Sequence, residues 1–233
     1  MKSELKDYKN IVLFGASSEI ALELGAILLE KNIYTIGISS QANQETKYNS
    51  YLKVQDYVGS VDAVISHLKR FDNMCVIFMN GYLKENRPYE YPTAEQIRNT
   101  IQGNLTAPIY LTKKLIEENL DIKKFVYISS ISSIKFRYKN YIYGISKKYL
   151  EEISSRLIPE KHLILRFGMV ETRMSKNHKK APYTLSKNKA AEIIFHNLDK
   201  TGTVSPILGL KIVSFIIKIV PSKLLDYYES RFL

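Results

Sequence analysis

Tyr143 and Lys147 stand four residues apart in the run Tyr143-Gly144-Ile145-Ser146-Lys147, downstream of a Ser-Ser pair that ends at Ser130. On a helix the phenol and the ammonium project from one face. A lysine charge beside a tyrosine hydroxyl favours the phenolate, drawing a pKa that starts near ~10 toward the range of proton exchange at neutral pH. The chemistry this allows is adding or removing a proton at an alcohol or carbonyl oxygen. The spacing alone selects nothing: with 17 Tyr and 34 Lys+Arg in the chain, about two or three such pairs arise by chance. Tyr110 with Lys114 and Tyr183 with Lys187 also satisfy it.

Context selects the Tyr143 pair, because it alone follows a strand-like segment, Lys124-Phe125-Val126-Tyr127-Ile128, that delivers hydroxyls at its carboxyl end. Open α/β sheets bind their ligands there. Strands are expected at Asn10 to Phe14, Ile33 to Ile38, Tyr51 to Val54, Met74 to Met79, Phe125 to Ser129 and His162 to Phe167. Helices are expected at Glu19 to Glu30, Val61 to Lys69, Thr93 to Glu118, Tyr141 to Leu157 and Lys187 to Asn197. This alternation is that of an α/β fold with a doubly wound, Rossmann-like parallel sheet. No repeat or linker divides the chain, so a single domain is expected: residues 1–205 for dinucleotide binding and catalysis, and residues 206–233 as an apolar helical extension of the same domain.

The 233 residues fit one such domain. Hydrophobic content of 45% and charged content of 24% place the chain among ordinary soluble proteins with a real core. The single cysteine, Cys75, excludes an internal disulfide framework, and its apolar run Met74 to Phe78 predicts a buried thiol in a reducing compartment. A cytoplasmic location is the expectation. Met1 to Asp7 contain no signal-peptide core, and no uncharged apolar stretch reaches membrane-span length. The net charge of +11 is dispersed, its densest cluster being Lys176-Asn177-His178-Lys179-Lys180, which reads as a solvated loop. No nucleic-acid module is present, so nucleic acid is not an expected partner. His67, His162, His178 and His196 lack metal-ligand spacing, and no metal site is expected.

The first strand runs into Gly15-Ala16-Ser17-Ser18-Glu19-Ile20-Ala21, and a helix follows. Such a turn brings backbone N–H groups and the positive end of a helix dipole onto one spot, which suits a pyrophosphate. Gly15, Ser17, Ser18 and Ile20 are therefore candidate cofactor contacts.

Taken together, these residues resemble the short-chain dehydrogenase/reductase family over nearly the whole chain. Four features match in order: the turn at Gly15, the segment Gly103-Asn104-Leu105-Thr106-Ala107-Pro108, Ser130 with Tyr143 following 13 residues later, and Lys147. Arg166-Phe167-Gly168-Met169-Val170-Glu171-Thr172 is similar to the family's Pro-Gly segment. The resemblance implies that Tyr143 is the acid/base, that Ser130 binds the substrate oxygen, and that Lys147 binds the nicotinamide ribose and stabilises the phenolate. It further implies that Asn104 holds a relay water and that Thr172 touches the carboxamide. Elementary chemistry agrees, since hydride arriving at a carbonyl carbon demands a hydrogen bond and a proton at the oxygen.

There are departures from the family pattern. Glu19 and Ala21 stand where the second and third glycines are usual, and a Glu beside a pyrophosphate repels it unless the side chain turns away or caps the helix. The Asn-Asn-Ala-Gly run becomes Phe78-Met79-Asn80-Gly81, leaving Asn80 and Gly81 as cofactor contacts, and Phe167 replaces a Pro. The second strand ends in Gly37-Ile38-Ser39-Ser40 without the acidic residue that would bind an NAD ribose. Ser39 and Ser40 are read as phosphate contacts, so NADP(H) is favoured and NAD(H) is the alternative. Asp56 matches the family's adenine-contacting Asp and is otherwise a turn-former. Tyr138 and Tyr141 are read as site mouth or packing, and Glu151 and Glu152 as surface partners of neighbouring cations.

Many family members with fatty-acyl substrates finish with a seventh strand and an Asp-Gly-Gly loop. This chain does not follow that ending; Gly202-Thr203-Val204 is at most a short strand. Beyond it, Pro206 to Pro221 is apolar, interrupted by Lys211 and Lys218 on one face. It can pack on its own domain or at a dimer interface, line an apolar substrate site, or lie on anionic membrane at residues 206–220, which would place the protein peripherally at the inner membrane surface. The tail resembles that of cell-envelope carbohydrate enzymes, including reductases of polyprenyl-phosphate-linked keto sugars. The expected activity is an NAD(P)(H)-dependent interconversion of a secondary alcohol and a ketone, in the reductase direction, by a homodimer or homotetramer. The rival is a non-catalytic NAD(P)-binding regulatory or scaffold protein of the same fold. An epimerase or dehydratase would need a longer segment than Thr172 to Lys187.

Overall fold

The apolar run Asn10–Phe14 forms β1, buried on both faces, and the chain then enters α1 (Glu19–Glu30), β2 (Tyr34–Ser39), β3 (Ser50–Lys53), α2 (Val61–Leu68) and β4 (Met74–Phe78). The computed structural model describes residues 8–41, 47–84, 91–135, 140–176 and 180–232. The expectations placed on Met1 to Asp7, Tyr138, His178 and the middle of the basic cluster (177–179) lie outside the described residues.

The single long helix expected from Thr93 to Glu118 is three pieces. α3 (Ala94–Ile101) and α4 (Ala107–Glu117) are joined by a π-helical turn at Gln102–Thr106. A capping box starts α3: the Thr93 hydroxyl accepts from Gln96 N–H and the Gln96 side chain accepts from Thr93 N–H. Then follow β5 (Ile122–Ser130), α5 (Tyr141–Leu157), β6 (His162–Phe167), the two-residue strands β7 (Val170–Glu171) and β8 (Leu185–Ser186), and α6 (Lys187–Phe195). Gly202–Val204 forms β9, the short strand the sequence allowed there, parallel to β6, so the sheet does have a seventh strand. Two helices close the described chain, α7 (Leu208–Ile219) and α8 (Ser222–Phe232).

The main sheet has the order β3-β2-β1-β4-β5-β6-β9, with every pairing parallel. Strand order reverses between β1 and β4, which opens a crevice at their carboxyl ends. Helices cover both faces, so the central strands read as continuous apolar runs. On one side Val12, Val76 and Phe125 pack with Val64, Leu111 and Leu150. On the other, Ile11, Cys75 and Val126 pack with Leu24, Leu28 and Ile194. Cys75 is fully buried as expected, and burial pushes its thiol up to about 12. Phe14, Phe78 and Tyr127 stack across β1, β4 and β5 with centroids 5.0 and 5.2 Å apart. Such pairs contribute about 0.5–1.5 kcal/mol each beyond their burial, and they set the three strand ends that carry the site at one height.

Candidate active site

Helix α5 carries Tyr143, Lys147, Glu151 and Ser154 at positions i, i+4, i+8 and i+11, a single face turned toward the sheet. The site is built where this face meets the end of β5. Ser130 is the last residue of that strand, 9% exposed; its hydroxyl accepts the Ser132 N–H at 3.1 Å and draws the Tyr143 phenol's pKa down as a hydrogen-bonding neighbour. The Lys147 ammonium donates to the Ile128 carbonyl at 2.9 Å and lies 5.9 Å from the Tyr143 ring centroid. Tyr183, one of the two chance matches to the spacing, sits in a turn with φ of 61° and offers no helical pair.

Electrostatics depart from the expectation that Lys147 depresses the phenol. Burial pushes Tyr143 up to about 12, opposed by the Ser130 hydrogen bond, so at neutral pH the phenol holds its proton. Burial brings the Lys147 ammonium down to about 8, and the Glu151 charge opposes that fall. At both groups desolvation is the largest influence. Tyr143 keeps part of its surface open to the cavity, so its proton is accessible to a bound oxygen.

Glu151 is not the surface partner expected from sequence. It is 6% exposed and accepts from the hydroxyls of Ser129 at 2.6 Å and Ser133 at 2.7 Å. The Arg166 guanidinium from β6 grips both of its oxygens. Ser133 also donates to the Ser130 carbonyl at 2.8 Å. The backbone on both sides of Ser130 is thus fastened to the helix that bears Tyr143. Its position four residues after Lys147 was the signal in the sequence. Glu152 does behave as expected, pairing with Arg156 at the surface.

Asn104 sits in the π turn, fully buried. Its side chain donates to the Tyr82 carbonyl at 2.7 Å and accepts the Tyr82 N–H at 3.0 Å, pinning the segment after β4. Both ends of the Asn104 amide are thus occupied by the Tyr82 main chain. A Cβ at Gly81 would come 3.1 Å from Asn104 Oδ1 and 4.0 Å from Lys147 Nζ, so glycine keeps the ammonium's approach clear.

A cavity of about 430 Å³ gathers Ser18, Ile20, Asn80, Gly81, Asn104, Ser130, Tyr143, Lys147 and Thr172. Its upper wall is the 3₁₀ turn Arg173–Ser175, for which Thr172 is the N-cap. Gly15 has φ of 77°, and a Cβ there would fall 2.5 Å from Asn80 N; the tight turn needs glycine. Ser18 caps α1, its hydroxyl accepting the Ala21 N–H at 3.3 Å. Glu19 stays at the cavity wall and accepts the Arg173 N–H at 2.6 Å across the cleft.

The nicotinamide and pyrophosphate end fits a dinucleotide. Asn80 donates to the Gly103 carbonyl at 2.6 Å, and its buried Oδ1 has no partner, an unused acceptor on a residue that lines the cavity. The adenosine end is differently filled. Gly15, Ser17, Ser39, Ser40 and Asp56 do not line this cavity. Ser39 is 1% exposed; its hydroxyl donates to Ser17, accepts the Gln41 N–H and bonds the Tyr57 phenol. It is thereby withdrawn from the phosphate contact expected of it. The Tyr57 hydroxyl also accepts the Gly15 N–H at 3.1 Å. Asp56 accepts the Val58 and Gly59 N–H groups at 2.9 and 2.7 Å, the turn-former reading of that residue. Ser40 is exposed.

No family model matches the sequence, and no curated protein does. Solved structures match along nearly the full length. A short-chain dehydrogenase from Streptomyces avermitilis superposes with a TM-score of 0.74 at 18% identity, covering 96% of this chain and 97% of that one. A short chain dehydrogenase from Burkholderia cenocepacia in complex with NADP gives 0.74 at 13%, covering 97% and 98%. The 3-oxoacyl-[acyl-carrier protein] reductase from Brucella melitensis in complex with NAD gives 0.71 at 16%, covering 89% and 99%. The chain has the Rossmann-like α/β fold of the short-chain dehydrogenases/reductases, as one domain.

Proposed function

We propose that this protein is an NAD(P)(H)-dependent oxidoreductase of the short-chain dehydrogenase/reductase family that reduces a ketone to a secondary alcohol. The observation that carries the reading is the convergence of Ser130, Tyr143 and Lys147 on one cavity, with the phenol kept protonated by burial. A bound nicotinamide supplies the hydride. Ser130 and Tyr143 present hydroxyls to the substrate oxygen, and as charge develops there the phenol yields its proton to it. The Lys147 ammonium then stabilises the phenolate and offers a donor to the cofactor ribose. Asn104 holds Tyr82 and Gly81 in place beside Lys147, and Asn80 Oδ1 and Thr172 face the same ligand. Glu151 fixes Ser130 against α5.

NADP(H) is the cofactor we favour, supported by the absence of an acidic residue after Ile38 and by the net charge of +11; NAD(H) is the alternative. With Ser39 occupied, Ser40 is left to meet a 2′-phosphate. A carbohydrate or lipid-linked sugar is the substrate class that the polar catalytic floor and the apolar tail favour together. A homodimer or homotetramer is supported by the exposed apolar side chains Ile145 and Tyr149 on α5. A cytoplasmic setting is supported by the lone buried Cys75.

Replacing Tyr143 by Phe removes the proton donor and keeps the ring. NADPH binding, followed by fluorescence titration, is expected to change little, while reduction of an accepted ketone falls by about 10²–10⁴-fold or more. Undiminished turnover by Tyr143→Phe would sink the assignment; binding of NADPH without turnover of any ketone by the wild type would favour the scaffold reading.

A further inference from the structure

Helix α7 is docked by one face only. Leu210, 1% exposed, rests on Gly168, whose Cβ position lies 3.1 Å from the leucine side chain, and Ser214 is buried behind it. Lys135 from the loop after β5 donates to the Lys218 and Val220 carbonyls and closes the helix's C-terminal end. The opposite face carries Leu208, Ile212, Phe215, Ile216 and Ile219, at i, i+4, i+7, i+8 and i+11, all between 50% and 73% exposed. Five large apolar side chains in one stripe are an interaction surface. On α8, Leu224 and Tyr227 continue it at 56% and 53% exposure.

Charge decides what covers the stripe. Residues 200–225 contain Lys200, Lys211, Lys218 and Lys223 and no aspartate or glutamate, the nearest acids being Asp199 before them and Asp226 on α8. Lys211, Lys218 and Lys223 are exposed, the first two on one flank of the stripe. A second copy docked through the same face would bring these lysines toward their own images with no acid on α7 to answer them. An anionic lipid surface answers all of them while taking up the apolar side chains. Among the described residues no helix is long and apolar enough to cross a membrane, and α7 has 12 residues, the form of a helix that lies in the interface.

We propose that α7 is a membrane-docking helix that seats the protein on anionic lipid, with the Leu208–Ile219 stripe in the acyl boundary and Lys211, Lys218 and Lys223 at the headgroups. The inner face of α7 touches Gly168, which lines the catalytic cavity. With a helix about 10 Å across, the cavity wall would stand one helix diameter from the lipid. This inference goes beyond the proposed reaction and stands without it.

The experiment is co-sedimentation of the full chain with vesicles of phosphatidylcholine mixed with phosphatidylglycerol, against vesicles of phosphatidylcholine alone. Binding to the anionic vesicles only is expected, weakening as salt is raised. The double variant Ile212→Ser/Phe215→Ser, both at exposed positions, should abolish binding while leaving thermal unfolding and NADPH titration unchanged. Lys211→Gln/Lys218→Gln should weaken it about 25-fold, from about 5-fold per lysine. A wild type that stays in the supernatant, or that binds both vesicle types equally, overturns the proposal. So does a stable dimer that Ile212→Ser/Phe215→Ser converts to monomer, which would assign the stripe to a second copy. Because NADPH titration is read on the same samples, failure of the docking helix is distinguishable from failure of the proposed reaction.

Discussion

Lys147, to which the proposed mechanism gives the phenolate, depends on a glutamate outside the cavity. Glu151 opposes the desolvation that brings Lys147 down to about 8 and ties Ser129 and Ser133 to α5. In Glu151→Gln the opposing charge is gone, so the Lys147 pKa falls further and the ammonium is lost at lower pH. Ketone reduction by the wild type should decline as pH rises through about 8, and in Glu151→Gln that alkaline limb should move to lower pH. A pH–rate profile of kcat/KM reads it directly, and an unmoved limb would leave Glu151 a purely structural residue. Removing one partner of a buried pair also costs about 3–5 kcal/mol. With Arg166 one quarter exposed, the lower end applies, measured as a drop in the denaturation midpoint.

At the scale of elements, the phosphate-binding turn is closed from above by a neighbour. Glu19 at the first position of α1 reaches Arg173 in the turn after β7, so the cleft is crossed by a carboxylate that an anionic cofactor must tolerate. A negative group at a helix N-terminus competes with a bound phosphate for the same dipole, an effect of about 0.3–1 kcal/mol. Glu19→Gln is therefore expected to tighten NADPH binding about 2- to 5-fold by fluorescence titration; weaker binding would mean that the contact with Arg173 orders the site. Periodicity made α1, α5, β1 and β6 legible to the residue, because each buries a continuous stripe or run. The order of Asn104, Ser130, Tyr143 and Lys147 likewise picked out residues that the fold brings to one cavity. Two features were hidden from that reading, and a third was legible only as an allowed short strand. The π turn keeps apolar spacing on both sides and so looks like unbroken helix. Occupation of Ser39 by Ser17 and Tyr57 is a contact among three separate elements. β9 is only three residues long, too short for any period.

The whole molecule carries a net charge of +11, and its formal ion pairs are mostly exposed. Exposed pairs add little to stability, so the charge acts outward, as a field that gathers anions. Stopped-flow association of NADPH should slow as ionic strength rises from about 0.01 M to about 0.15 M, over which the screening length contracts from about 30 Å to about 8 Å. The dissociation rate should change less, and a salt-independent association rate would count against long-range steering.

The π turn at Gln102–Thr106 has a bearing on ancestry as well as chemistry. Such a turn holds one residue more than an α-helix needs to cover the same path, while α3 and α4 keep their packing on either side. Loss of a single codon there would straighten the helix, retract Asn104 from Tyr82 and spare the sheet. A chain with the proposed activity and one without it could thus differ by a single residue in a turn that lies outside the sheet.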